Sequence, residues 1–511
     1  MAVQSSIQIA ILFNVSKTID VLDNEGPCRE IIDRCSSRVE VKKMKRICQA
    51  LGLIALVTFI LASYEFSRTL GPERDFGELE KVIAAELGAR NVPGAAVAIV
   101  SQNKIIFAKG FGVANVETNI PVTPDTLFQI GSITKTFTAV ATLSLAEEGR
   151  LKTDVPIDTY VKGLNPKIAN LTLHHLLSHT AGIIDEPDEY GGQDESMMSS
   201  YLRSWKDNYL LFDPGEVFSY SNSGFALAGL VAQEVTGKPY ADLMVERVFQ
   251  PLGMTRTTFR PTVAMTYPLA VGHKAKAAEK PSVVRPLPND ARLYPAGTMY
   301  SSVNDMARFA LAFLNEGIID GKRVLSPSVI AKMQTPNLKQ LSAEDDTSYG
   351  YGLFMNHHRG VRQLWHEGSM TGYVGSMLLA PEYHFAVIVL CNANGVLLDK
   401  TQEKAMELVL PLTKQEAFRP KTPLPMGESE IQGYVGIYEQ PNRFRIEVLV
   451  RDGRLFIKEF NNEMPLIKIG ENRFSFKFPQ ADKAQEIYIK VGKDGRPLFI
   501  HQYVWAFKRL V

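Results

Sequence analysis

Phe128-Gln129-Ile130-Gly131-Ser132-Ile133-Thr134-Lys135 is the stretch on which the reading of this chain turns. Ser132 and Lys135 are three residues apart, so on a helix over 132 to 148 they share one face, about one turn apart. A serine hydroxyl is a weak nucleophile until a neighbouring base takes its proton. A lysine partly stripped of water loses its charge more readily and becomes such a base. Gly131 permits close backbone approach beside the serine, and Phe137, Val140, Ala141, Leu143 and Leu145 make the helix largely apolar up to Gly149. A lysine one turn into such a helix is expected to be partly buried, where its retention implies a function.

Working outward, the segments on either side supply strands. Residues 78 to 89 read as an amphipathic helix, followed by strands over Ala95 to Val100 and Lys104 to Val113 around a Gln102-Asn103 turn. Residues 165 to 260 are helix-rich, and 297 to 335 carry two more helical stretches. Residues 362 to 392 return to strand, with Pro381-Glu382 at a turn, and 399 to 411 read as a closing helix. Strands at both ends with helices between predict an α+β unit over 75–415, an antiparallel sheet flanked by helices plus a mostly helical subdomain. Pro420, Pro423 and Pro425 mark a linker. Residues 427–511 then read as a small antiparallel β-barrel of six or more strands, with Asp452-Gly453 and Asp494-Gly495 as hairpin turns.

Composition excludes several function classes. The 511 residues carry a formal net charge of +1 and no basic stripe with interleaved aromatics, so nucleic acid is not an expected partner. Of Cys28, Cys35, Cys48 and Cys391, only Cys391 falls in the catalytic unit, on an apolar strand, and no Cys/His zinc pattern is present. Neither a metal nor an organic cofactor is expected. Residues 47–64 are uncharged and mostly apolar, behind Lys42, Lys43, Lys45 and Arg46. That pattern predicts a signal anchor or signal peptide, with the bulk exported and the cell membrane, periplasm or exterior as location. Met44 is an alternative start, and residues 1–46 form an N-terminal cytoplasmic segment without an assigned function.

Three further stretches belong with the serine. Tyr220-Ser221-Asn222 offers a phenol, whose phenolate a nearby ammonium would stabilise for proton transfer, and an amide able to bond both Lys135 and a substrate. In His366-Glu367-Gly368-Ser369, His366 and Gly368 face one side of a strand and Glu367 the other. Gly368 leaves room for a ligand along the strand, and the Ser369 N–H with that of Ser132 can form an oxyanion hole. In Leu173-His174-His175-Leu176-Leu177-Ser178-His179, a metal pair from His175 and His179 is conceivable, but local bonding of a buried His179 is the better reading.

Taken in order, these segments resemble the serine β-lactamase and penicillin-binding protein superfamily, and within it the class C β-lactamase-like hydrolases, which include esterases, D-aminopeptidases and D-alanyl-D-alanine carboxypeptidases. Ser132 to Lys135 matches its Ser-x-x-Lys motif and Tyr220 to Asn222 its Tyr-x-Asn motif. The stretch around His179 resembles a recurring family signature with Ala181 in place of serine, and Pro295-Ala296-Gly297-Thr298-Met299-Tyr300-Ser301-Ser302 resembles another. The C-terminal part resembles the lipocalin-like barrels that follow such domains. The resemblance implies an acyl-enzyme serine hydrolase, with Ser132, Lys135 and Tyr220 catalytic and Asn222, His366, Gly368 and Ser369 substrate-binding. Its substrate would be a small-molecule or peptide ester or amide, cell-wall peptide included. Where many relatives carry Lys-Thr-Gly, this chain has His366-Glu367-Gly368, and a histidine is largely neutral at neutral pH. The grip on a substrate carboxylate is therefore expected to be weak. The alternatives are a cell-wall D,D-carboxypeptidase, a β-lactamase, or a penicillin-binding sensor without turnover. The α/β-hydrolase fold is disfavoured, because the chain contains no Gly-x-Ser-x-Gly elbow.

Overall fold

The computed structural model describes residues 75–510 except 186–189, 277–278, 338–346, 396, 415–420 and 482, together with Ser37, Val39 and Ile47. Apart from Ile47, the 47–64 segment lies outside the described residues, as do the basic run before it and the three N-terminal cysteines. Among the described residues, no helix is long and apolar enough to cross a membrane.

Residues 77–511 form one compact unit, in which the two ends of the catalytic region meet in a single sheet. Its strands are β1 (Gly94–Ser101), β2 (Lys104–Gly112), β3 (Ser348–Tyr349), β4 (Phe354–His358), β5 (Val361–Met370), β6 (Tyr373–Ala380) and β7 (Phe385–Cys391). They run in the order β2-β1-β7-β6-β5-β4-β3, every pair antiparallel. The registers Ala95↔Cys391 and Ser101↔Phe385 join first strand to last. Both β1 and β7 are buried along their whole length, as interior strands covered on two faces must be. Gln102 and Asn103 both take positive φ, which a two-residue hairpin whose twist matches its strands requires. Cys391 is a buried free thiol at the end of β7.

Helices cover both faces. Helix α1 (Gly77–Arg90) buries Leu79, Ile83 and Leu87 at four-residue intervals and packs on α5 (Asp399–Val409). The buried Glu86 carboxylate accepts the backbone N–H of Thr401 at 2.9 Å and its hydroxyl at 2.8 Å, placing an acceptor in the first turn of α5. Helix α4 (Val303–Leu314), capped by Ser302, packs on β1, β2 and β7. Between them lie α2 (Thr134–Glu147) and α3 (Asn222–Thr236), packed on each other. The expected helix over 132 to 148 starts differently. Gly131–Ile133 is a 3₁₀ turn, and the α-helix begins at Thr134. Gly131 takes φ 57 and puts this turn hard against β5.

The C-terminal part is a nearly closed nine-stranded antiparallel barrel. Its strands are β8 (Gly436–Glu439), β9 (Arg445–Arg451), β10 (Arg454–Glu459), β11 (Asn462–Pro465), β12 (Ile467–Gly470), β13 (Arg473–Phe476), β14 (Gln485–Val491), β15 (Pro497–Gln502) and β16 (Trp505–Leu510). Their order is β11-β10-β9-β8-β16-β15-β14-β13-β12, around a core that includes Tyr438, Ile446, Ile457, Phe474, Ile489 and Phe507. Sequence reading misses β11 and β12, each only four residues long. It also reads 497 to 505 as one strand, running past the end of β15 to the first residue of β16, because the turn between them is Tyr503-Val504 and carries neither glycine nor asparagine. Asp452-Gly453 has both positive φ values expected of it; at Asp494-Gly495 only the glycine does, within a longer loop.

Candidate active site

Lys135 sits on the first turn of α2 with no exposed surface, while Ser132 ahead of it is half-buried. The Lys135 amine uses three acceptors: Ser132 Oγ at 3.0 Å, Asn222 Oδ1 at 2.6 Å and the Ala296 carbonyl at 2.7 Å. It also lies over the rings of Tyr220, 4.7 Å from the centroid, and Phe225, at 5.8 Å. Burial lowers the amine from its ordinary 10.5 to about 7, with the Asp185 carboxylate opposing that shift and the Arg443 guanidinium adding to it. Near neutral pH both protonation states are therefore populated, and the neutral amine has a lone pair to accept the serine proton.

The Tyr220-Ser221-Asn222 segment enters from the start of α3. The Ser221 side chain caps that helix by accepting from Gly224 N at 3.0 Å, which places Asn222 at its first turn. Tyr220 is buried, and its hydroxyl is hydrogen-bonded to Ser132. Burial pushes the phenol far above its ordinary value, with the Ser132 bond working against it. The expectation of a phenolate stabilised by a neighbouring ammonium thus gives way to a neutral hydroxyl in the resting site.

His366 lies on β5, buried, with its Nδ1 2.6 Å from the Glu367 carbonyl oxygen. Burial, then the adjacent Lys135, lowers it to about 3, so it is an uncharged imidazole throughout the neutral range. Glu367 is exposed on the opposite face of the strand. Beyond it, the room expected at Gly368 for a ligand is instead taken by the backbone of the Gly131–Ile133 turn. A β-carbon at Gly368 would lie 1.9 Å from the Ile130 carbonyl oxygen and 2.9 Å from Ser132 N. One at Gly131 would lie 2.4 Å from Ser369 N. This contact brings the backbone of Ser132 and Ser369 together.

His179 adopts φ 58 and is buried among Phe218, Tyr220, Phe225 and Tyr349. Its Nδ1 accepts from Ser221 N at 3.0 Å, and burial holds it well below its ordinary value. His175 is committed elsewhere, since it forms a capping box with Thr172. In place of the metal pair, His175 bonds locally, whereas the His179 ring, expected to bond locally, bonds Ser221 42 residues on, because the start of α3 packs against it.

Sequence reading did not identify Ala296 as the third acceptor, nor Asp185, whose Oδ1 accepts from Asn222 N at 2.8 Å. Nor did it find that the barrel touches this segment, with Val504 O accepting from Tyr220 N at 2.8 Å and Arg443 pairing with Asp185. The Pro295-to-Ser302 motif carried a signal for Ala296. A lone aspartate and an arginine 258 residues later carried none.

The beta-lactamase family profile matches residues 79–409. Protein flp of Staphylococcus aureus strain N315 is 27% identical over 341 residues, 64% of this chain and 65% of that protein, so the match spans less than two thirds of the relative's length. Penicillin-binding protein 4 of Amycolatopsis lactamdurans is 27% identical over 363 residues, 68% of this chain and 94% of the relative. The octameric penicillin-binding protein homologue from Pyrococcus abyssi has 27% identity and a TM-score of 0.59, over 85% of this chain and 99% of its own. With the profile extending from α1 to the last residue of α5 and the Ser132, Lys135, Tyr220 and Asn222 cluster inside it, this chain belongs to the beta-lactamase family.

Proposed function

We propose that this chain is a serine hydrolase that cleaves an ester or amide through an acyl-enzyme on Ser132. The observation that carries this reading is the fully buried Lys135 amine, lowered to about 7 and 3.0 Å from Ser132 Oγ. In its neutral form Lys135 takes the Ser132 proton as Oγ attacks the carbonyl carbon. The N–H groups of Ser132 and Ser369 hold the oxyanion, and Asn222 orients the substrate. The Tyr220 hydroxyl, bonded to Ser132, gives its proton to the leaving group, and the protonated Lys135 restores it. Water then enters by the reverse route: its proton passes to Lys135, its oxygen bonds to the acyl carbon, and Ser132 leaves as it regains a proton.

The same site favours the esterase and peptidase side of the class C-like branch. His366 stands where many relatives place a lysine, and as a neutral imidazole it offers no fixed charge to a substrate carboxylate. We further propose that the barrel is a lipocalin-like domain, and that the chain is exported with the 47–64 segment as signal or anchor. Ser132→Ala should abolish labelling by a fluorophosphonate and turnover of p-nitrophenyl esters. Undiminished turnover in that variant refutes the assignment. Nitrocefin and a D-Ala-D-Ala peptide, run beside the esters, separate a β-lactamase or carboxypeptidase from an esterase. A stoichiometric acyl-enzyme that never releases its acyl group identifies a sensor.

A further inference from the structure

The barrel reaches the catalytic cluster with a charged side chain. Arg443 lies between β8 and β9, stacked on Trp505 with its guanidinium 4.4 Å from the ring centroid, and its Nη2 pairs with Asp185 Oδ2. The Asp185 side chain has no exposed surface, and that of Arg443 only 19%. The other oxygen of the same carboxylate holds Asn222 N, and Asn222 in turn holds Lys135. One continuous chain of contacts therefore runs from Arg443 through Asp185 and Asn222 to Lys135. Alongside it, Val504 O of the barrel fixes Tyr220 N, and Ser219 Oγ accepts from Ala506 N at 3.3 Å.

We propose that Arg443 is a positioning residue for the active site, so that the barrel completes the site by neutralising Asp185 and holding Asn222 against Lys135. The inference rests on the hydrolase reading above, with Lys135 as the base. The titratable groups around Lys135 are His179, Asp185, Tyr220, His366 and Arg443, with Tyr349 behind Tyr220 and the two histidines. Both imidazoles are held neutral by burial, and both phenols are pushed upward by it. Asp185 and Arg443 are thus the two groups whose charges act on the lysine in opposite directions. Removing Arg443 leaves a buried carboxylate unopposed, which favours the ammonium form of Lys135. Removing the Asp185 charge does the reverse.

The test is the pH dependence of kcat/KM for a p-nitrophenyl ester in the full chain. In R443M the acidic limb should move upward by on the order of one pH unit. That corresponds to a roughly fivefold loss at pH 7 for a base that titrates near 7 in the wild type. In D185N the limb should move downward, in the D185N/R443M double variant it should return towards the wild type, and R443K should largely retain the wild-type limb. A merely structural contact would lower the amount of folded protein without moving the limb in opposite directions. The inference is overturned if the limb is fixed across the folded variants, or if both single variants shift it the same way. Should R443M fail to fold, R443Q, which keeps hydrogen-bonding capacity but not the charge, decides the matter: the same upward movement supports the inference and an unmoved limb overturns it. A wild-type chain without Ser132-dependent labelling sinks the hydrolase reading instead, whereas an intact limb that ignores Arg443 sinks only this inference.

Discussion

Gly368→Ala puts the proposed oxyanion hole to a direct test. The added β-carbon would sit 1.9 Å from the Ile130 carbonyl oxygen, 2.9 Å from the Ile130 carbonyl carbon and 2.9 Å from Ser132 N. An uncrowded carbon-to-oxygen contact is about 3.3 Å, so β5 and the Gly131–Ile133 turn must separate by about 1.4 Å. Every clashing atom is backbone, so no side-chain rotation relieves the overlap. A displacement of about 1 Å at a reacting centre costs about 10²-fold in rate, and losing one oxyanion donor costs about 10²–10³-fold. The expected fall in kcat/KM is therefore about 10²-fold or more, with a stability loss of about 1–3 kcal/mol from overpacking. Gly297→Ala is the local control. Its nearest neighbours would be Met370 Sδ at 3.7 Å and the Gly131 carbonyl carbon at 3.8 Å, which are ordinary contacts. Ester hydrolysis and thermal unfolding, measured on both variants, give the answer. If Gly368→Ala keeps kcat/KM within about threefold of the wild type with an unchanged Tm, the contact does not position the oxyanion donors and the reasoning fails.

Two other outcomes follow from burial. In the wild type, kcat/KM should rise with pH through about 7 and then level if neutral Lys135 is the base, as proposed; an acidic limb near 4 or below would assign the titration to another group. Phe137→Ala in α2 removes a fully buried ring 4.5 Å from that of Phe309 and should cost about 3–5 kcal/mol in chemical denaturation, so a loss below about 1 kcal/mol would mean that the surrounding helices collapse into the space.

The depressed Lys135 also bears on stability. Its value in the unfolded chain is near the ordinary 10.5, so between about 7 and 10.5 the unfolded state binds more protons than the folded one. This group's contribution therefore improves as pH rises through that interval and is most unfavourable below about 7. Keeping a reactive amine in a dry pocket destabilises the fold at the pH where the amine works, and the cluster of acceptors around it limits that cost without removing it.

How much of this was legible in the sequence depends on the range of the interaction. The hydroxyl and amine of Ser132 and Lys135 sit within one turn, so their spacing predicted their meeting, even though the turn proved to be 3₁₀ at Ser132. The strands β1 and β7 were legible because full burial makes them apolar runs, and the composition contrast across the prolines announced the barrel. The short strands β11 and β12 were not, since four residues show too few alternations to register a period. Asp185 and Arg443 were illegible for a deeper reason. An ion pair between distant residues leaves no local pattern, and each partner read alone is one surface charge among many. Burial changes its meaning: a carboxylate with no exposed surface must be matched, and the match comes from across the domain junction. Local chemistry could thus be read from the motif, whereas the electrostatic setting that depresses its lysine required the fold.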